Sequence, residues 1–163
     1  MKSVSQNSKI SRRMLNKNIL IRKAFYEDIE HITALDVLVF RENAWSAESF
    51  TKELALNFSK LFVAEIDKKF AGFALAWYIA DEVQLLRIAV APQFQRYKIG
   101  TLLVQQLIYH ADNQTKIVLE VADTNTSAIQ FYTSLGFYSV GFRKNYYHFD
   151  NAILMEKIIH HEN

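Results

Sequence analysis

Apolar positions follow a period of two at the start of the chain and helical spacing soon afterwards. Ile19 and Ile21 alternate with Leu20 and Arg22, which predicts a first strand of about six residues. Apolar residues then recur near every third or fourth position over 29–40, after two acidic residues that favour a helix N-terminus. The pattern therefore predicts a strand followed by a helix.

A second helix is predicted directly after Trp45. Ser46 is a good N-cap, and Phe50 lies four residues further along, where it can pack against Trp45 as a hydrophobic staple. Leu54 continues the apolar face one turn later. We therefore expect Trp45 to fix a corner between a loop and this helix.

Three β-branched and aromatic runs come next, separated by polar turns. They cover Leu61–Ile66, Phe70–Ala80 and Val83–Val90. These runs predict an antiparallel three-stranded meander, which Pro92 ends. An amphipathic helix is predicted to begin near Gly100.

The remaining elements are a strand, a helix and two further strands. The nearly all-apolar run Ile117–Val121 is typical of a strand buried on both faces. Asn125 is predicted to cap a helix over Thr126–Leu135, and Gly136 follows where a left-handed residue is favoured. The last two strands are predicted at Phe137–Tyr147 and Ala152–Ile159, joined by an Asp150-Asn151 turn. The element order is thus β-α-α-β-β-β-α-β-α-β-β, an α/β layer with a mostly antiparallel sheet.

Composition narrows the class of protein. The chain has 163 residues, of which 50% are hydrophobic and 22% charged, as expected for one globular domain with a sizeable core. The absence of Cys excludes disulfides, thiolate metal sites and a thiol nucleophile, and it is compatible with the cytoplasm. The four glycines cannot form the G-x-x-x-x-G-K phosphate loop or the G-x-G-x-x-G dinucleotide-binding motif. The five histidines do not have the spacing of metal ligands, so we expect no metal site.

The first 18 residues form a separate basic segment. They carry five Lys or Arg residues and no acid, so the net charge of +2 for the whole chain becomes −3 for residues 19–163. We interpret 1–18 as a flexible arm, either a solvated tail or an RNA contact, and Met14 as a plausible true start. The folded part lacks the positive field of a DNA-binding protein, and the longest apolar run is too short to span a membrane.

The segment Gln95–Thr101, between the meander and the next helix, is a candidate anion-binding site. A helix N-terminus offers free N–H groups and the positive end of its dipole, and Arg96 and Lys98 add charge. A phosphate or pyrophosphate would fit there. The alternative is an ordinary surface turn.

Glu120 and Tyr132 are the candidate catalytic residues. Glu120 interrupts an apolar strand, where burial would raise its pKa toward that of a general base. The alternative is that Glu120 lies at an exposed strand end or pairs with a cation such as Arg87. Tyr132, on the following helix, could donate a proton to a leaving group, although such a residue alone more often belongs to a core.

Four segments carry a family resemblance: Asp81–Arg96, Leu119–Val121 together with Asn125, Phe131–Phe137, and Arg143–Tyr147. Together they closely resemble the GNAT acetyltransferases, and among these the RimI-type ribosomal-protein-alanine N-acetyltransferases. The resemblance runs from about Ile19 to Ile158. It implies the α/β GNAT fold, a mixed, mostly antiparallel central sheet flanked by helices on both faces, as a single domain over 19–163.

The resemblance also implies an activity and a set of roles. It implies transfer of acetyl from acetyl-CoA, the co-substrate, to the N-terminal α-amine of a small-subunit ribosomal protein beginning with Ala, in a ternary complex. Glu120 would be the general base and Tyr132 the general acid. The implied acetyl-CoA contacts are the pantetheine-binding Ile88, Ala89 and Val90, the pyrophosphate-binding Arg96, Tyr97, Lys98, Ile99, Gly100 and Thr101, and Asn125.

Two further segments would border the acceptor peptide. They supply Trp45 on one side and Arg143, Asn145, Tyr146 and Tyr147 on the other, although these residues could equally serve packing alone.

This sequence departs from the family pattern at three positions. Lys98 stands where the family has a Gly, which costs about 1 kcal/mol if that position needs a positive φ. Ala44 replaces the usual Pro before the Trp-Ser pair. Arg87 replaces a neutral residue, and it could pair with Glu120 and lower the pKa of that carboxyl.

The sequence is also compatible with two other functions. A GNAT enzyme could acetylate lysine side chains or a small amine instead. The chain could also be a non-catalytic acetyl-CoA-binding module that docks on RNA or a ribosome.

Overall fold

The structure of the chain is a computed structural model that describes residues 17–147 and 150–162, except for the side chains of 145–147. Residues 1–16 of the predicted arm, Met14 among them, lie outside the described residues. The last two arm residues contact a turn: Lys17 Nζ lies 3.1 Å from Asp67 Oδ2, and the Asn18 N–H donates to Asp67 Oδ1 over 3.1 Å.

The helices and strands follow the predicted order. They are β1 (Ile19–Lys23), α1 (Ile29–Phe40), α2 (Ala47–Ala55), β2 (Ser59–Ile66), β3 (Lys69–Ile79), β4 (Glu82–Val90), α3 (Ile99–Tyr109), β5 (Lys116–Ala122), α4 (Thr126–Ser134), β6 (Tyr138–Tyr147) and β7 (Asp150–Ile158). Short 3₁₀ turns precede α1, α2 and α3 at Tyr26–Asp28, Arg41–Asn43 and Pro92–Tyr97. None of the α-helices in the described part is long and apolar enough to cross a membrane.

The seven strands have the order β1-β2-β3-β4-β5-β7-β6. The pairs β1–β2, β5–β7 and β6–β7 are antiparallel, whereas β4 and β5 are parallel. The predicted mixed, mostly antiparallel sheet is therefore confirmed. The α/β class follows from the helices that connect these strands.

The described residues form two compact units. The first runs to Leu75 and resumes over Arg87–Gln106, and the second comprises Ala76–Leu86 and the residues from Leu107 onward.

Local signals place α2 within the first unit. The Ser46 hydroxyl accepts from the Ser49 N–H over 3.1 Å, as predicted for an N-cap. The rings of Trp45 and Phe50 lie 5.5 Å apart, which confirms the hydrophobic staple. Phe50 continues into the core, where its ring meets Phe73 edge to face at 5.5 Å.

In the second unit, β5 corrects one prediction. Ile117, Leu119 and Val121 are buried, but Val118 and Glu120 between them are only half-buried. The strand therefore has one core face and one partly open face, because successive side chains point to opposite sides of a sheet. The apolar run Ile117–Val121 had predicted a strand buried on both faces.

The two ends of α4 agree with prediction, but the final turn does not. The Asn125 Oδ1 accepts from the Ala128 N–H over 3.2 Å, and Gly136 has φ +90°. Asp150 and Asn151 were predicted as a turn, yet both belong to β7, and Asp150 pairs with Tyr147. Side-chain hydrogen bonds with residues before α4 hold both of them: the Thr124 hydroxyl donates to Asp150, and the Asn151 amide donates to Asp123.

Candidate active site

In the first unit, the end of β4 presents backbone groups that β5 does not use. The β4–β5 ladder covers Glu82–Gln84, so Ile88–Val90 lie beyond it. On the β3 side, a Cβ at Gly72 would lie 2.6 Å from the Ala89 oxygen. The absence of that Cβ allows the two backbones to approach closely at Ala89 and Val90.

The turn between β4 and α3 is the candidate anion site. Lys98 is left-handed, with φ 55° and ψ 30°, and α3 begins at the next residue. The first intrahelical bond of α3 runs from the Leu102 N–H to the Lys98 oxygen over 3.1 Å. The backbone N–H groups of residues 99–101 precede it, and N–H groups in this position of a helix have no intrahelical acceptor and can bind an anion. Arg96 and Lys98 are exposed beside them, and Tyr97 braces the turn against Phe94 with ring centres 6.2 Å apart.

Lys98 has the positive φ on which its backbone cost depends. Because the residue carries a Cβ, this conformation costs free energy that a glycine would not lose. Gly100 and Thr101 are half-buried in the first turn of α3, whereas the Ile99 side chain is buried in the core. Only the backbone of Ile99 can serve a ligand.

Arg87 does not form the ion pair with Glu120 that the sequence suggested. Its Nη2 lies 2.9 Å from Asp36 Oδ2 and donates to the Asn43 carbonyl oxygen over 2.6 Å. Asp36 has no exposed surface and also accepts from the Trp45 N–H over 2.7 Å. The prediction was wrong because α1 brings a carboxylate to β4 from 51 residues earlier in the chain.

Sequence reasoning missed Asp36. The available signal was a single acid within the apolar stretch 35–40 of α1, comparable to the signal that singled out Glu120. A buried charge of this kind needs a partner, and Arg87 was the unexplained cation.

In the second unit, Glu120 lies on β5 opposite Leu154 of β7. Its side chain is 25% exposed, and its Oε1 lies 3.4 Å from Nη1 of Arg143, which is 54% exposed. The expectation of deep burial is therefore wrong, and the alternative of a cation partner is correct with Arg143 in place of Arg87. Because both charges reach solvent, this ion pair contributes little to stability.

Tyr132 is buried on α4. Its ring centre lies 5.2 Å from that of Phe131 and 5.5 Å from that of Phe137. This packing fixes the orientation of the ring. The ring therefore contributes to the hydrophobic core, independently of any role of the hydroxyl group. Asn125 begins the same helix and is exposed.

The candidate residues fall into two sets. The β4 segment, the anion turn and Trp45 belong to the first unit, and Glu120, Asn125, Tyr132 and Arg143 to the second. The structure brings Glu120 and Arg143 together, and it links Trp45 to Asp36 and Arg87. The predicted acceptor contacts of Asn145, Tyr146 and Tyr147 rest on side chains outside the described residues.

The strand order and the turn before α3 fit the class of acyl-CoA-dependent N-acyltransferases. More particularly, the chain belongs to the GNAT acetyltransferase family, whose pattern matches residues 22–137.

Several known proteins are similar to this chain. The ribosomal protein bS18-alanine N-acetyltransferase of Salmonella typhimurium is 35% identical over 105 residues, which are 63% of this chain and 70% of that protein. The enzyme of the same name from Haemophilus ducreyi is 33% identical over 68% of this chain and 81% of its own length. A crystal structure of an Escherichia coli ribosomal-protein-alanine N-acetyltransferase superimposes with a TM-score of 0.77 at 28% identity, covering 90% of this chain and 97% of that one.

The residues present fit acetyl-CoA, the acetyl donor of this family. The peptide groups of Ile88–Val90 suit the amides of the pantetheine arm, and the first N–H groups of α3 with Arg96 suit the pyrophosphate. The missing Cβ at Gly72 is what permits the observed backbone position. When bound, acetyl-CoA supplies an activated thioester.

Proposed function

We propose that this enzyme acetylates the N-terminal α-amino group of a small-subunit ribosomal protein that begins with alanine. The observation that carries the proposal is the shared name of relatives that are 33–35% identical and match over 70–81% of their own length. An acceptor of this kind is met in the cytoplasm, the compartment that the sequence predicts.

The chemistry of the amine favours the same acceptor. An α-amino group has a pKa of about 7.7 to 8.0, against about 10.4 for a lysine side chain. Near neutral pH the unprotonated, nucleophilic form is therefore roughly two orders of magnitude more abundant for the α-amine. A modest general base is enough to complete its deprotonation.

In the proposed mechanism, transfer is direct and occurs within a ternary complex. Glu120 accepts a proton from the attacking amine, directly or through one water. The amine nitrogen bonds to the acetyl carbon as the carbon–sulfur bond breaks, and the Tyr132 hydroxyl donates its proton to the departing thiolate. Backbone N–H groups of Ile88–Val90 stabilise the negative charge that develops on the carbonyl oxygen. The partial exposure of Glu120 supports this role, because the proton it accepts can leave to solvent.

A peptide panel tests the acceptor. Short peptides with free N-terminal Ala, Ser, Gly or Met are compared with N-blocked lysine peptides and a polyamine, with acetyl-CoA and mass-spectrometric detection. We expect acetylation of the free N-termini, with Ala preferred. Transfer only to lysine or to the polyamine would overturn the proposal in favour of those acceptors, and acetyl-CoA binding without any transfer would indicate a non-catalytic module.

A matched pair of substitutions tests the general base. Glu120→Gln should lower kcat by about 10²-fold or more, the range for loss of a general base, with acetyl-CoA affinity unchanged. Glu156→Gln makes the same change on β7, where the carboxylate pairs with Lys116 and Tyr138, and should leave kcat within about twofold. Equal turnover in both variants would remove Glu120 from the mechanism.

A further inference from the structure

Asp36 and Arg87 form a buried ion pair that the proposed chemistry does not use. Their side chains are 0% and 11% exposed, and their charged atoms lie 2.9 Å apart. Within the described residues, Asp36 Oδ1 and Arg87 Nε are buried without a hydrogen-bond partner. Because ions lose their hydration on burial, an apolar pair of similar volume is often as stable or more so. Stability alone therefore does not account for this pair.

The pair holds the backbone of the loop between α1 and α2. Arg87 donates to the Asn43 carbonyl oxygen over 2.6 Å, and Asp36 accepts from the Trp45 N–H over 2.7 Å. One backbone acceptor and one backbone donor of Arg41–Ser46 are thus fixed by side chains of α1 and β4. This arrangement limits the loop to one position relative to β4.

Aromatic contacts and backbone strain strengthen that restraint. The Arg87 guanidinium carbon lies 4.0 Å from the ring centre of Phe40 and 5.1 Å from that of Trp45. The loop begins at Arg41, whose φ of 52° and ψ of −116° are unusual for a residue with a Cβ. A strained conformation persists only where its surroundings impose it, and the Asp36–Arg87 pair is part of those surroundings.

Arg87 also links this loop to the acetyl-binding backbone. It directly precedes Ile88 on β4, so one strand carries both the loop's anchor and the predicted thioester contacts. Resting on the proposed function, we propose that Arg87, acting through Asp36 and the Asn43 carbonyl, is a positioning residue that holds the Arg41–Ser46 loop where it receives the acceptor peptide. Trp45 then contacts the acceptor from a fixed place.

Arg87→Lys tests this role with the positive charge retained. A lysine ammonium can still pair with Asp36, but its side chain ends one bond short of Arg87 Nη2, the single atom that donates to both Asp36 and Asn43. Lysine also lacks the planar guanidinium that lies over the rings of Phe40 and Trp45. Arg22→Lys is the matched control, since Arg22 also pairs with two acceptors, Asp28 and Glu65, in the same unit. If Arg87→Lys does not fold, the Arg87→Asn/Asp36→Asn double variant removes both charges and takes its place.

Two measurements are made on each variant. Hydrogen exchange of the Trp45 backbone amide, followed by NMR in the ligand-free enzyme, should accelerate by roughly tenfold or more in Arg87→Lys, as expected for a weakened hydrogen bond to a charged group. Steady-state kinetics on the N-terminal peptide should show KM raised roughly tenfold with kcat changed by less than about twofold, and acetyl-CoA affinity unchanged. Arg22→Lys should show neither effect.

The outcomes separate this inference from the proposed function. Unchanged Trp45 exchange in Arg87→Lys would overturn the anchoring role, and faster exchange with an unchanged peptide KM would overturn the link to the acceptor. If the unsubstituted enzyme fails to acetylate any free N-terminus, the proposed function is wrong. The exchange measurement still decides in that case whether Arg87 holds the loop.

Discussion

Replacing Lys98 by glycine should stabilise the protein, although it removes a whole side chain. Lys98 has φ 55° and ψ 30°, and the left-handed conformation costs a residue with a Cβ about 1–2 kcal/mol. Glycine avoids that cost but loses about 0.4–1 kcal/mol through the larger entropy of its unfolded chain. Since the Lys98 side chain is exposed, little packing is lost. The net expectation is about 1 kcal/mol of added stability, or about 2–4 °C in Tm for a chain of this size.

Lys98→Ala is the control that separates the backbone from the charge. It keeps the Cβ and the strain but removes the ammonium, so its free energy of unfolding should stay within about 0.5 kcal/mol of the unsubstituted protein. Differential scanning calorimetry of the ligand-free proteins measures both. If Lys98→Gly is no more stable than Lys98→Ala, the strain argument is refuted.

The same two variants report on the phosphate site. If the Lys98 ammonium lies near the pyrophosphate, both should bind CoA more weakly, by about 0.2–1 kcal/mol for an exposed ion pair. Binding of a pantetheine fragment without phosphates should not change in either variant. Isothermal titration calorimetry with the two ligands makes the comparison, and an equal loss for both ligands would contradict a phosphate contact.

Three further predictions concern other positions. Gly72→Ala would place a Cβ 2.6 Å from the Ala89 backbone oxygen and should cost about 1–3 kcal/mol in urea unfolding, with weaker acetyl-CoA binding. Hydrogen bonds from Arg22 hold the pKa of Asp28 below its usual 3.8, so the stability they add is present above that pH and is lost as the pH falls through the lower folded pKa. In a pH series of thermal melts, Asp28→Asn should reduce the loss of stability between neutral and acid pH. An unchanged pH dependence would contradict this role of Asp28. Ser46→Ala should cost about 1 kcal/mol by chemical unfolding through loss of the α2 N-cap, whereas Ser46→Gly should cost only a few tenths.

The roles of Glu120 and Tyr132 came from family resemblance rather than from the residues alone. An acid in an apolar strand and a tyrosine on the next helix are each compatible with structure as well as catalysis. The structure shows that Tyr132 serves the core and that Glu120 faces a half-open side beside Arg143. Their chemical roles therefore remain predictions for the kinetic tests.

The sequence by itself determined the order of the elements and several of their ends. Alternation, helical spacing and caps act over a few residues, which is why Ser46, Asn125 and Gly136 were assigned correctly. These features depend on neighbours along the chain, and those neighbours are visible in the sequence.

Only the tertiary structure decided which charges meet and which faces are buried. Arg87 pairs with Asp36, 51 residues away, and Glu120 with Arg143 on a strand that is not its neighbour in the sheet. The half-open face of β5 was likewise hidden, because Val118 is as apolar as its buried neighbours. Burial and ion pairing depend on distances through space, and a linear pattern constrains these only after the sheet order is known.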